Sequence, residues 1–254
     1  MPACPPSRVI TLQGSSPVVG IAYGLPQLML FYPADRRPPM ILYSGPLSMY
    51  GAQAQIAFLE KGIPVETEMV PFTLTDLYHP KHPEVARINP KAQVPVLKNG
   101  DLEIFDSTQI FEYLEDLSPN PALWPKAPDT KAMARLLELL SDEVFFGHVQ
   151  KLMPGQRALG DAEPVSDVVA RIERYYDDMN QRLATADHLA GDFSYADIAF
   201  YPAQFFAGFL GAPMPDRFEN LHAWRARMTA RESIATVMGA MITYLTEQGI
   251  PASM

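Results

Sequence analysis

From Val94 to Glu115 the chain reads VPVLKNGDLEIFDSTQIFEYLE, and no other stretch restricts the fold as tightly. Two short apolar runs, PVL and LEIF, flank Asn99-Gly100. That pair marks the tight turn of a β-hairpin, where positive φ angles are required. The alternation stops at Asp106. From Ser107 onward Ile110, Phe111, Tyr113, Leu114 and Leu117 take helical spacing. A hairpin that runs directly into a helix is therefore expected.

The flanking pattern extends this unit. MILYSG (Met40–Gly45) reads as a buried strand, and AQAQIAFLEKG as a helix that stops at Lys61-Gly62. IPVETEMVPF alternates around Val65–Met69 and reads as a second strand. The loop LYHPKHPE follows, with a short helix at Pro83–Ile88 whose Pro83 suits a first turn. Ser118–Asp129 contains four prolines and reads as a linker. Beyond it every segment looks helical. One helix is expected over 131–153 with Met133, Leu136, Leu137, Leu140 and Val144 on its apolar face. Another is expected over 166–186 on Val169, Ile172, Tyr176, Met179 and Leu183, and three more near 194–209, 221–229 and 234–248. The expected fold class is α/β plus all-α: a βαβ-ββα domain over 40–118, a linker over 119–129 and an all-helical domain over 130–248. Residues 1–39, with scattered proline and glycine and no sustained period, read as a poorly ordered extension, with Met40 a candidate start.

Composition narrows the function. The net charge of -9 argues against nucleic acid or an anionic membrane as the main partner. No apolar run reaches the roughly 18 residues that suggest a membrane-spanning helix. Cys4 is the only cysteine, which rules out an intrachain disulfide or a cysteine metal cluster and fits a reducing cytoplasm. The five histidines show no metal-ligand spacing, so no metal is expected. Glycine-rich phosphate loops, HExxH and G-x-S-x-G are absent.

The order of these elements, with Val94-Pro95 before the hairpin and Asp106-Ser107 after it, resembles the cytosolic glutathione transferases, over nearly all of 40–248. The resemblance implies a thioredoxin-like first domain, glutathione as cosubstrate, a small hydrophobic electrophile and a homodimer. It is nearest to serine-type bacterial, phi-like and zeta-like members. In that family the bond before the proline matching Pro95 is cis, which X-Pro bonds tolerate. The backbone of Val94 would then pair with the ligand as an added strand does. Asp106 and Ser107, at a helix N-terminus that favours carboxylates, would hold the γ-glutamyl ammonium and carboxylate. Gln93 would bond the tripeptide backbone and Lys81 the glycyl carboxylate. Taken alone, each of these residues is equally a strand-start proline, an N-cap or a solvated loop residue.

In the loop YSGPLSMYG, Ser48 matches the catalytic serine of zeta-like and phi-like members, and Tyr50 is the runner-up. A hydroxyl donor with a helix N-terminus would stabilise the thiolate, whose free thiol has a pKa near ~8.5. Leu47, Tyr50, Phe145, Phe146, His148 and Tyr244 are candidates for the electrophile pocket. Ser194 and Asp197 in GDFSYADIAF form a capping-box pattern and read as structural. The rival function is a non-catalytic adaptor or ligand-binding protein of the same fold.

Overall fold

The computed structural model describes residues 39–159 and 162–250. The expected extension over 1–39 lies, but for Pro39, outside the described residues. A four-stranded sheet is built from β1 (Ile41–Ser44), β2 (Glu66–Met69), β3 (Val96–Asn99) and β4 (Leu102–Phe105), in the order β2-β1-β3-β4. β1 and β2 are parallel, so the chain must cross over between them, and α1 (Met49–Lys61) makes that crossing. Gly62 ends α1 at φ 61, where glycine carries no Cβ penalty. β3 and β4 form the expected hairpin, with Gly100 at φ 62 beside the paired Asn99 and Leu102. The helices α2 (Pro83–Ile88) and α3 (Ser107–Leu117) complete this half.

Alternate strand residues face opposite layers. Leu42 and Leu97 join Ile56, Phe58, Ile110, Phe111 and Leu114 beneath α1 and α3. Tyr43 and Val96 join Val70 and Val85 on the α2 side. The result is a thioredoxin-like unit with α1 and α3 on one face and α2 on the other.

The second half is helical: α4 (Pro128–Leu139), a π-helical turn (Leu140–Phe145), α5 (Phe146–Gln150), α6 (Pro154–Arg157), α7 (Val165–Arg182), α8 (Tyr195–Phe209), α9 (Glu219–Thr229) and α10 (Glu232–Glu247). α8 is buried almost throughout and packs against α1, so both halves share one core. Lys61 is buried at the end of α1. Its ammonium pairs with Glu115 at 2.8 Å and donates to the carbonyls of Ser118 and Pro121 at 2.8 and 2.9 Å, which satisfies a charge that burial would otherwise penalise.

The single helix expected over 131–153 is corrected by the structure. The π-helical turn divides it, and the expected apolar face is split: Leu137 is buried and Leu140 half-buried against the core, whereas Met133, Leu136 and Val144 are 37%, 45% and 43% exposed. Beside Leu137, the buried face carries Ala134, Glu138, Ser141, Asp142 and Phe145. No helix among the described residues is long and apolar enough to cross a membrane.

Candidate functional site

Strand register gathers the expected site at one end of the sheet. Tyr43 pairs with Val96, and Val96 with Phe105. The β1–α1 loop, the Val94–Pro95 bond and the Asp106-Ser107 start of α3 therefore emerge side by side. Ser44 pairs with Met69, so the chain leaving β2 emerges there too.

The Val94–Pro95 bond is cis, as expected. Val94 is half-buried and precedes Val96, the first ladder residue of β3. Asp106 is the N-cap of α3 and is exposed. Its φ of 79 is in the left-handed half of the map, which L-residues rarely adopt. One carboxylate oxygen, Oδ1, accepts from the N–H groups of Thr108 and Gln109 at 3.1 and 3.3 Å. Its Oδ2 accepts no hydrogen bond among the described residues. Ser107 is buried behind it. Gln93 is exposed, with its carbonyl accepting from Asn89 Nδ2 at 2.6 Å. Lys81 is half-buried in the loop that joins β2 to α2. That loop is drawn to the site end by Tyr78, whose ring occupies the space above Gly45. A Cβ at Gly45 would press on the Tyr78 phenol, so any larger residue there would force the ring to shift.

Ser48 caps α1, its Oγ accepting from the Gly51 N–H at 3.0 Å, and it is 8% exposed. Its hydroxyl hydrogen is not used in that bond. Tyr50 sits in the first turn of α1 and leans toward the helical half. Its hydroxyl donates to the Asp142 carbonyl at 3.4 Å and its ring meets Phe146 edge-on at 5.7 Å. Burial, with Asp142 and other carboxylates nearby, pushes the Tyr50 phenol well above its ordinary pKa. It is therefore a donor at neutral pH and not a base.

The candidate pocket residues do not meet in one place. Tyr50 and Phe146 meet where α1 approaches α5, and Leu47 is half-buried in the β1–α1 loop against the core. Phe145 is fully buried among Tyr175, Tyr176 and Phe200. His148 is half-buried on α5, where desolvation and then Arg171 lower its pKa and favour the neutral ring. Tyr244 stands on α10 against Phe72, in a cleft beyond the β1–α1 loop.

Sequence reasoning missed a buried polar group between α1, α3 and α4. Gln53 Nε2 donates to Asp142 Oδ1 at 2.7 Å, and the Thr108 hydroxyl donates to Glu138 Oε1. Burial comes first in raising the pKa of both carboxyls; Glu138 adds to the rise at Asp142, and Asp106 and Glu143 add to both. Gln53 Oε1 and Ser141 Oγ are buried there without partners. The available signal was Glu138 and Asp142 four residues apart, which places them on one helix face. No group of three or more side chains suited to a metal occurs among the described residues.

Residues 42–122 match the model for the N-terminal domain of glutathione S-transferase, and residues 134–232 the model for its C-terminal domain. Glutathione S-transferase 2 of Saccharomyces cerevisiae is 31% identical over 212 residues, covering 78% of this chain and 89% of that protein. A stringent starvation protein A homolog of Coxiella burnetii is 28% identical over 221 residues, covering 84% and 97%. Among solved structures, poplar glutathione transferase F1 aligns with a TM-score of 0.65 at 24% identity, over 80% of this chain and 98% of that one. FzlA from C. crescentus aligns at 0.68 and 23%, over 80% and 92%. At these identities the solved structures speak for the fold.

Proposed function

The chain belongs to the glutathione S-transferase family, and from that premise we propose that it binds glutathione and activates its thiol for attack on a small hydrophobic electrophile. The observation that carries this reading is the convergence of Ser48, Val94–Pro95 and Asp106-Ser107 at one end of the sheet. Asp106 supports it further. A non-glycine residue at φ 79 costs on the order of 1–3 kcal/mol, and such outliers gather at ligand sites. Its free Oδ2 suits the γ-glutamyl ammonium, while the α3 N-terminus and Ser107 suit the γ-glutamyl carboxylate. Val94 would pair with the peptide backbone, Gln93 would add a further bond, and Lys81 would meet the glycyl carboxylate. Glutathione, when bound, supplies the nucleophilic sulfur. Ser48 would donate its unused hydroxyl hydrogen to the thiolate, aided by the α1 N-terminus.

We extend the reading to a homodimer, because the exposed Met133, Leu136 and Val144 give α4 and the π-helical turn an apolar outer face. A monomeric mass in solution would remove that part. The single cysteine fits a reducing cytoplasm as the place of work.

A second reading, a non-catalytic adaptor, is favoured by one observation. Relatives named stringent starvation protein A homolog match much of the chain. Retention on immobilised glutathione followed by turnover of an aryl halide decides between them. Retention with turnover supports the enzyme, and retention without it supports the adaptor. Ser48→Ala should slow turnover and raise the pKa of bound glutathione while leaving its affinity nearly unchanged. Near wild-type turnover in Ser48→Ala, with a large loss in Tyr50→Phe, would move the role to Tyr50.

A further inference from the structure

A cleft of about 500 Å³ lies between the β1–α1 loop, the chain leaving β2 and α10. Phe72 and Tyr244 form an aromatic wall, their rings 6.0 Å apart and edge to face. Pro46, Met69, Val70 and Met241 extend the apolar surface. Gly45 and Pro46, on its rim, belong to the loop that ends at Ser48.

The polar atoms of this lining are unevenly divided. Tyr244 has its hydroxyl hydrogen engaged, donating to the Phe72 carbonyl at 3.1 Å. Gln55 Nε2 donates to Ser44 Oγ at 2.9 Å and to the Gly51 carbonyl at 3.2 Å, which occupies both amide hydrogens. Gln55 Oε1, the Thr243 hydroxyl and the Glu247 carboxylate remain. The lining contains no Lys, Arg or His. It therefore offers acceptors, and Thr243 supplies the one side-chain donor left.

We propose that this cleft binds an aromatic electrophile carrying an ammonium or N–H donor, and rejects one carrying a carboxylate. Calling the ligand an electrophile rests on the transferase reading above, whereas the charge preference rests on the lining alone. The ring buries apolar surface against Phe72, Met241 and Val70. An ammonium is accepted by Gln55 Oε1 and Glu247, and is attracted to the faces of Phe72 and Tyr244. A carboxylate would leave water for a surface with a single hydroxyl donor and an opposing Glu247. In turnover of an aryl chloride, the sulfur–carbon bond forms at the ring carbon that bears chlorine. Chloride leaves with the bonding pair, and the thiol proton passes to solvent.

Calorimetry with unreactive probes tests the cleft directly. For wild type, meta-nitrobenzylammonium should bind about tenfold or more tightly than meta-nitrophenylacetate, with meta-nitrotoluene between them. Glu247→Lys, at an exposed position, should reverse the order, and Ala240→Trp should abolish binding of all three by filling the cleft. Equal affinities, tighter acetate, no binding by wild type, or no effect of Ala240→Trp overturns the proposal. The para-chloro forms of the same probes separate the two readings. Binding with the expected charge order but no turnover sinks the transferase reading and leaves the cleft assignment standing. Turnover without a charge preference does the opposite.

Discussion

Two helices in this chain begin beside an acid and a serine, and they use the acid in opposite ways. At α8, Ser194 is the N-cap and Asp197 lies three residues in. Asp197 is buried, and both of its oxygens are occupied by the N–H of Leu189 at 2.9 Å, the N–H and hydroxyl of Ser194 at 3.0 and 3.3 Å, and Trp224 Nε1 at 2.8 Å. At α3, Asp106 is itself the N-cap. It is exposed, at φ 79, and only one oxygen is occupied. Both helix starts offer free N–H groups to an acid. The difference is in what remains unsatisfied. Asp197 has nothing left to offer a ligand, whereas Asp106 keeps an acceptor facing solvent.

The largest test of this contrast removes the charge from the saturated site. In Asp197→Asn, one oxygen becomes an amide nitrogen that faces N–H donors. Two hydrogen bonds to a charged group are lost in a site closed to water, so a stability loss of roughly 3 kcal/mol or more is expected. Urea unfolding measures it. A loss below about 1 kcal/mol would show that the two starts differ less than their hydrogen bonds indicate.

The next test works on the open site, and it separates capping from recognition. Asp106→Ser keeps an N-cap oxygen, and helix stability should change by only a few tenths of a kcal/mol. The acceptor proposed for the γ-glutamyl ammonium is lost, so glutathione affinity should fall about tenfold or more, for a charged hydrogen bond of roughly 1.5–3 kcal/mol. Asp106→Ala should lose both the cap and the affinity. Unchanged affinity in a folded Asp106→Ser protein would make Asp106 a second purely structural cap.

Both helix starts could be read from the sequence because their signals are local. A serine three residues before an acid, or a glycine in a two-residue turn, acts through backbone geometry within a few positions. Gly62, Gly100, Ser194 and Asp197 do what their spacing indicates. The β3–β4 hairpin was legible for the same reason, since its register follows from the turn. The α4 face was not legible. A π-helical turn at Leu140–Phe145 shifts the side chains from there on around the axis, and nothing in LSDEVF announces it, but Met133 and Leu136 precede the turn and are not moved by it. The residues placed inside, Met133, Leu136 and Val144, lie outside, and Glu138 and Asp142 lie within. An amphipathic pattern identifies two faces but not which one meets the core. On the buried face the acids meet Gln53 and Thr108, partners more than twenty residues away in sequence that no local pattern reveals.

Asp142 supplies a third acid for the comparison, and the smallest expected effect. It lies in mid-helix, where the backbone N–H groups are already bonded, so its one strong partner is Gln53 at 2.7 Å. Burial raises the pKa of Asp197 too, but its N–H donors work against that rise; Asp142 has no such set of donors, and burial, followed by the nearby Glu138, raises its pKa well above the ordinary carboxylate value. The folded chain therefore keeps a proton that the unfolded chain releases near pH ~4. Folding then binds more protons in the window above that pH. This contribution is fully present below the unfolded pKa and is lost as pH rises toward the folded one. Glu138 and Asp197, whose pKa values are also raised, act with the same sign, and Glu60, Glu84, Glu103 and Glu163, whose pKa values are lowered, act with the opposite sign. The informative quantity is accordingly the difference between wild type and Asp142→Asn. An amide mimics the protonated acid, so the variant should match wild type within about 1 kcal/mol at low pH and become relatively more stable as pH rises. Urea midpoints measured in parallel from about pH 4 to about pH 8 give that difference. A constant gap across the range would mean that Asp142 ionises as an ordinary carboxylate. A growing loss in the variant would mean that its charge is held by donors.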